Sequence, residues 1–270
     1  MSTLVKPATG GNVEGRMWNR AFAYWLTSYR RVWRGTIISG LLSPLFFLLA
    51  MGFGLGALVD AGATGGIEGM SYVVFVAPGI LAAQAMQTAV FESTFPVMGA
   101  MKWQRQYHAM LAAPLGVTDV VVGHLAFVVM RVAITTTAFA LVAVALGAIQ
   151  SWTVLLAWPV AVVTGLAFAA PVFAFSARQD NDNGFNVLFR FIIMPMFLFS
   201  GVFFPVEQLP GVLEAVALAT PLWHAVDLCR GLVMHTTTTP GVIVHLGYLL
   251  LWVGVGYWLA LRSFRRRLVQ

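Results

Sequence analysis

Charge is what this sequence has least of. Asp, Glu, Lys and Arg make up 10% of its 270 residues, and the mean hydropathy is +0.83. A soluble domain of this length needs about a quarter of its residues charged to cover its surface, so the chain reads as mostly lipid-embedded. Cysteine occurs once, at Cys229, which excludes an intrachain disulfide and any cysteine-based metal spacing. Lysine occurs only at Lys6 and Lys102, and neither closes a GxxxxGK[ST] phosphate loop. The chain cannot hydrolyse ATP by that route; if ATP powers it, another polypeptide does the hydrolysis. The histidines (His108, His124, His224, His235, His245) show no HExxH spacing and no close pair along the chain, and most carboxylates lie in loops. A membrane-embedded enzyme is disfavoured by that missing catalytic spacing. No cleavable signal peptide is expected, because the first apolar run begins near Thr36.

What the sequence does have is apolar length. Six runs, 36–59, 71–98, 118–149, 152–177, 185–204 and 241–261, are long enough to cross a hydrocarbon core, which takes about 20 helical residues. Pro44, Pro78, Pro159, Pro171 and Pro195 fall within them as tolerable kinks, because neighbouring helices can satisfy the freed backbone groups. Gly52 and Gly56, four apart, permit close helix contact. The net charge of +6 does not indicate nucleic acid, because the basic residues sit at the ends of apolar runs rather than on one soluble face. Lys6, Arg16, Arg20, Arg30, Arg31 and Arg34 precede the first run, Lys102 and Arg105 follow the second, and Arg178 follows the fourth. Arg262, Arg265, Arg266 and Arg267 close the chain. The other three connections hold only Arg230, against Asp60, Glu68, Glu207, Glu214 and Asp227. That bias predicts cytoplasmic termini and an even number of spans.

Three further segments carry information. Residues 1–15 read as a flexible tail. Residues 16–34 place Trp18, Phe22, Trp25 and Tyr29 at steps of three and four, with Arg16, Arg20, Arg30 and Arg31 mainly on the other side. This predicts an amphipathic helix lying in the headgroup plane. The connection 101–116 mixes Trp103, Tyr107, Met110 and Leu111 with Lys102, Arg105 and His108, as either a docking helix for a soluble partner or an interfacial loop would. Glu92, Arg131 and Arg190 fall inside apolar runs; Glu92 and Arg131 are placed to pair, and Arg190 to snorkel toward the inner interface.

The stretch "FNVLFRFIIMPMFLFSGVFFPVEQLP" (185–210), the phrase "ATPLWHAVDLCRG" (219–231) and the segment "RQYHAMLAAPLGVTDVVVGHL" (105–125) together resemble the permease subunits of type-2 ABC exporters. The nodulation protein J and daunorubicin-resistance permeases are the nearest in character, with polysaccharide exporters as wider relatives. The resemblance covers essentially everything after residue 15. One departure is that many relatives carry an acid where this chain has Tyr107 or His108.

The resemblance implies an all-α membrane protein with six transmembrane helices (35–270), preceded by an amphipathic connecting helix (16–34) that includes Trp18, Trp25, Arg30 and Arg31. It implies two cytoplasmic ABC ATPase subunits that use ATP and Mg, a second permease copy or a sibling, lipid contacts, and no cofactor bound by this chain. Trp103, Arg105, Tyr107, Met110 and Leu111 would form the ATPase-coupling loop. Between spans 5 and 6, Gly201 and Pro205 would end the span, and Pro210 and Pro221 would set the turns of short re-entrant helices capping the exit. Phe46, Phe47, Phe91, Phe95, Phe197 and Phe199 are the expected apolar lining of a pathway near spans 1, 2 and 5. The function so implied is ATP-driven export of an amphipathic substrate (a drug, lipid or glycolipid/polysaccharide type) across a bacterial-type plasma membrane. The rival class is an ion-gradient-driven secondary transporter, whose inverted repeats are not evident between the two halves.

Overall fold

The computed structural model describes residues 17–62, 66–67 and 69–269. The tail 1–15, Arg16 and Glu68 lie outside the described residues. Among the described residues every regular element is a helix, apart from an isolated bridge between Ile67 and Met70.

The first helix, α1 (Trp18–Tyr29), is followed by α2 (Trp33–Leu49), which runs through a π-helical stretch, Ala50–Gly56, into α3 (Ala57–Asp60). Then come α4 (Tyr72–Ser93), α5 (Phe95–Met98) and a second π-helical stretch, Gly99–Trp103. The connection that follows holds α6 (Gln106–Leu111), and two long helices come next, α7 (Val117–Ala145) and α8 (Val154–Ser176). A third π-helical stretch, Leu188–Ile193, joins α9 (Asn183–Val187) to α10 (Met194–Phe199). The chain closes with α11 (Gly211–Leu218), α12 (Pro221–Met234) and α13 (Thr239–Leu268).

Among the described residues, four of these stretches are long and apolar enough to cross a membrane: Tyr72–Trp103, Val117–Ala145, Val154–Ser176 and Thr239–Leu268. They coincide with the expected runs 71–98, 118–149, 152–177 and 241–261. α11 and α12 qualify only as a pair, and they meet at an 80° bend. The expected first run falls on the continuous helical stretch from α2 through α3, and the expected fifth on a shorter apolar stretch, Asn183–Phe199. The fifth is shortened for a local reason: the chain leaves the helix at Ser200, and Gly201 takes φ 77, which a side chain disfavours.

α8 is the hub, packed against α4, α7, α12 and α13. It is apolar all round, as a helix enclosed by others must be, and rich in small buried residues such as Ala157, Ala161, Ala167 and Ala170. Small residues let helices approach closely in lipid, where packing rather than water exclusion drives association. The approach of α13 to α8 is limiting, since a Cβ on Gly256 would lie 2.5 Å from Pro171 Cδ. The remaining faces of α13 expose Ile243, Val244, Leu250, Leu251 and Val255, as a lipid-facing helix does.

α1 does not present its whole aromatic face outward. Ala21, Trp25 and Tyr29 are buried, with α1 laid along α7, while Trp18 and the charged Arg30 and Arg31 stay exposed. Contact is close because α7 has glycine at the crossing: a Cβ on Gly123 would lie 2.5 Å from Ala21 Cβ and 2.7 Å from the Trp18 carbonyl oxygen. Gly123→Leu should therefore lift α1 off and lower stability by about 1–3 kcal/mol. Gly254→Leu, where nothing lies within 4 Å, is the matched control in the same thermal unfolding assay in detergent. Equal effects of the two would mean that α1 is not held at Gly123.

Candidate functional site: the loop at 101–116, a cavity and a break

The 101–116 connection is anchored by a buried aromatic cluster. Tyr107 is fully buried and its hydroxyl lies 2.7 Å from His124 Nδ1 on α7. Burial pushes the Tyr107 phenol well above its usual pKa, so the hydroxyl keeps its proton. Trp25 of α1 stacks on His124 with ring centroids 3.9 Å apart, and Phe264 of α13 meets Tyr107 edge-on at 5.3 Å. Phe173 of α8 meets His124 edge-on at 5.1 Å. Five helices thus converge on one Tyr–His contact. Local backbone geometry makes this possible: Arg105 takes a left-handed conformation, φ 50, which turns the chain from the π-helical stretch into α6.

Two carboxylates fasten the surroundings. Asp119 is fully buried; its Oδ1 accepts the Met17 N–H at 2.8 Å and its Oδ2 accepts the Gly116 N–H at 3.0 Å. It clips the start of α1 to the start of α7. Asp180 is exposed and accepts from Lys102 Nζ at 3.0 Å and Arg267 Nη2 at 2.6 Å. These two cations hold its carboxyl down to about 2. Its folded pKa lies below the unfolded value near 4, so the clip is intact above that value. The clip is lost only as pH falls from about 4 toward 2. Exposure makes its contribution small and salt-sensitive. What this leaves open on the loop is Trp103, 70% exposed, together with Arg105, His108, Ala109 and Ala112; Met110 is buried and Leu111 half-buried.

Between α2, α4, α7 and the Leu188–Ile193 stretch lies a cavity of about 710 Å³. Glu92 and Arg131 pair at its wall: Arg131 donates to Glu92 Oε1 from Nε at 2.9 Å and from Nη2 at 2.6 Å. The guanidinium also lies over the Tyr29 ring, 4.8 Å from its centroid, while Nη1 is buried without a partner. Thr88 and Thr135 hydroxyls meet at 3.1 Å beside the pair. Arg190, carried on a π-helical stretch, faces the same cavity, as do Phe91 and Phe197. The other expected lining residues are elsewhere. Phe46 and Phe199 are exposed, Phe47 lies 6.2 Å from the Phe203 ring, and Phe95 meets Phe185 edge-on at 5.0 Å.

The break after α10 is fastened by Arg230 of α12. Its Nη2 donates to the Gly201 carbonyl at 2.7 Å, its Nε to the Phe75 carbonyl at 3.2 Å, and it lies over the Phe75 ring at 3.8 Å. Pro205 precedes a short 3₁₀ turn, Pro210 caps α11 and Pro221 opens α12, where Thr220 Oγ1 accepts the Trp223 N–H at 3.2 Å. Two histidines 21 residues apart also meet here: His224 Nδ1 lies 2.8 Å from His245 Nδ1, and His245 Nε2 lies 3.1 Å from Asp227 Oδ2.

The sequence profile of the ABC-2 type transporter family matches residues 17–234. The chain belongs to that family. A nodulation protein J from Rhizobium leguminosarum bv. viciae is 32% identical to it over 270 residues, covering all of both chains. One from Rhizobium meliloti (strain 1021) is 32% identical over 263 residues, 97% of this chain and 96% of that one. The inner membrane transport permease YadH of Escherichia coli (strain K12) is 22% identical over 202 residues, 74% of this chain and 75% of that one.

This ABC-2 permease is therefore a multi-pass plasma-membrane protein and the transport component of a system whose family implies an ABC ATPase partner. Eight of the residues expected from its sequence fall into three places. Trp25 and Tyr107 meet in the buried cluster, Phe91 and Phe197 at the cavity, and Gly201, Pro205, Pro210 and Pro221 at the break. The roles of His124, Phe264 and Asp119 are not legible in the sequence, because each acts through partners distant in the chain. The signal for Asp119 was its place three residues after Gly116 at a helix start, a capping position. The His224–His245 pair corrects the view of the histidines as scattered; a 21-residue separation on two helices leaves no spacing pattern to read.

Proposed function

We propose that this permease exports an amphipathic substrate from the cytoplasm, with two copies of an ABC ATPase docked on the 101–116 loop and a second permease copy or a sibling completing the pore. In this reading both termini are cytoplasmic and the chain crosses six times, with α2–α3 and α9–α10 as the first and fifth crossings. α1 is the connecting helix beside the membrane surface, and the bent pair α11–α12 dips back into the outer leaflet as the exit cap. Non-helical backbone at that depth is tolerated only where protein buries it or where it lines a wet cavity, which fits the Arg230 contacts to Gly201 and Phe75 and the cavity that Gly201 and Arg230 line.

The observation that carries the reading is the loop, fixed on its inner side and open on its outer side. A rigid anchor through Tyr107 and His124 lets a push on the open face reach α1, α7, α8 and α13 together. Because Tyr107 faces inward, the ATPase-facing contacts of the expected set reduce to Trp103, Arg105 and Leu111, with His108, Ala109 and Ala112 joining them.

The test is co-purification with the partner ATPase and ATP hydrolysis in proteoliposomes. Ala109→Asp/Ala112→Asp on the open face should lower both by about tenfold, the effect of losing one well-placed interface contact. Tyr107→Phe, which keeps the ring, should leave docking intact. A chain that moves substrate on an ion gradient with no ATPase bound would overturn the reading.

A further inference from the structure

The 710 Å³ cavity is unbalanced in charge. It is faced by two guanidinium groups, Arg131 and Arg190, and by one carboxylate, Glu92. Glu92 spends one oxygen on two nitrogens of Arg131, and Arg131 Nη1 is left buried with no acceptor. Among the described residues that line the cavity, Glu92 is the one acid. Residues 33–59 and 183–204 contain no Asp or Glu, Asp180 is committed to Lys102 and Arg267, and Asp182 is exposed and does not line the cavity. Arg131 is paired with Glu92, whereas Arg190 is exposed and stands at the edge of an apolar cavity with no acid beside it, so an anion that arrives with its ligand would find its counter-charge there. Its other wall is apolar, with Phe91, Phe189, Ile193, Met194 and Phe197.

We propose that this cavity binds an amphiphile with a single anionic headgroup, the head held by Arg190 and the apolar part lying on the phenylalanine wall. The proposal rests on the exporter reading and narrows its substrate class from amphipathic to anionic amphipathic. Two sources share this chemistry, an acidic phospholipid resident in the cavity and the exported molecule itself.

The experiment uses the full chain purified in a neutral maltoside detergent. Native mass spectrometry counts the retained lipid when the chain is offered phosphatidylglycerol or phosphatidylcholine. One phosphatidylglycerol should be retained per chain in preference to phosphatidylcholine. Arg190→Gln should weaken its retention about tenfold, the effect of losing one charge-assisted hydrogen bond. Arg190→Lys, which keeps the charge, should keep most of it. Arg262→Gln, which removes a cation over Trp258 at the far end of α13, should change nothing. Equal loss in Arg190→Gln and Arg262→Gln would mean general surface attraction and would overturn the proposal, as would equal retention of both lipids. Tetradecyl phosphate, added to the complex with its ATPase, separates the sources. Stimulated hydrolysis that Arg190→Gln abolishes assigns the site to cargo, and retention of phosphatidylglycerol without stimulation assigns it to a resident lipid. The binding step needs no ATPase, so its failure leaves the exporter reading intact, while absence of any ATPase partner would sink that reading and leave the binding result standing.

Discussion

Glu92→Leu should destabilise the chain by about 3–5 kcal/mol, the range for breaking a buried pair from one side. Both side chains are largely enclosed, 12% exposed for Arg131 and 14% for Glu92, and Arg131 makes both of its bonds to the same oxygen. Removing the carboxylate leaves the guanidinium beside an apolar wall with only the Tyr29 ring as compensation. Water in the cavity will pull the loss toward the lower end of that range. Removing both partners, Glu92→Leu with Arg131→Met, should recover most of the stability, because the uncompensated charge leaves with the second change. Thermal unfolding in detergent of the two single variants and the double variant measures the coupling directly. A double variant as unstable as the sum of the singles would show that the two groups act independently and that the 2.6 Å contact contributes nothing.

The pairing of Glu92 and Arg131 was legible in the sequence, because two rare charges in successive apolar runs have few other partners. The long helices were legible for the same reason that α8 is the hub: an unbroken apolar run of that length has no alternative environment. The aromatic steps at Trp18, Phe22, Trp25 and Tyr29 signalled α1, but not which side is covered by α7. The close approach depends on Gly123, a glycine whose role appears only when Ala21 is laid against it. Tyr107 illustrates the limit best. In its own segment it sits among Gln106 and His108 and reads as one side of an amphipathic loop. Its burial comes from Trp25, His124 and Phe264, spread from 25 to 264 along the chain. Local periodicity cannot report contacts of that range. The span count suffers from a related difficulty: in 185–204 hydropathy continues through a point where Gly201 has already turned the backbone out of the helix.

Arg230→Ala should release the segment 200–206 from α4 and cost about 3 kcal/mol. Two hydrogen bonds from a charged donor to backbone carbonyls are lost, together with a guanidinium stacked 3.8 Å over the Phe75 ring. Lysine is a poor replacement, because an ammonium lacks the planar fork that spans the two carbonyls while lying flat on a ring. Arg230→Lys should therefore recover less than half of the loss. The effect should be local as well as large. Amide exchange in 200–209 should rise sharply in Arg230→Ala, while the α7–α8 core stays protected. Gly201→Ala attacks the same junction from the backbone side, since its Cβ would meet φ 77 and lie 3.2 Å from Val206 Cγ1. The two changes share the Gly201 carbonyl, so their combined cost should fall short of the sum. Full additivity would mean that Arg230 does not act through Gly201. A sub-additive pair with exchange confined to 200–209 would make α12 the clamp that holds the broken end of α10 against α4, and would identify Arg230 as the residue whose release frees that end to move.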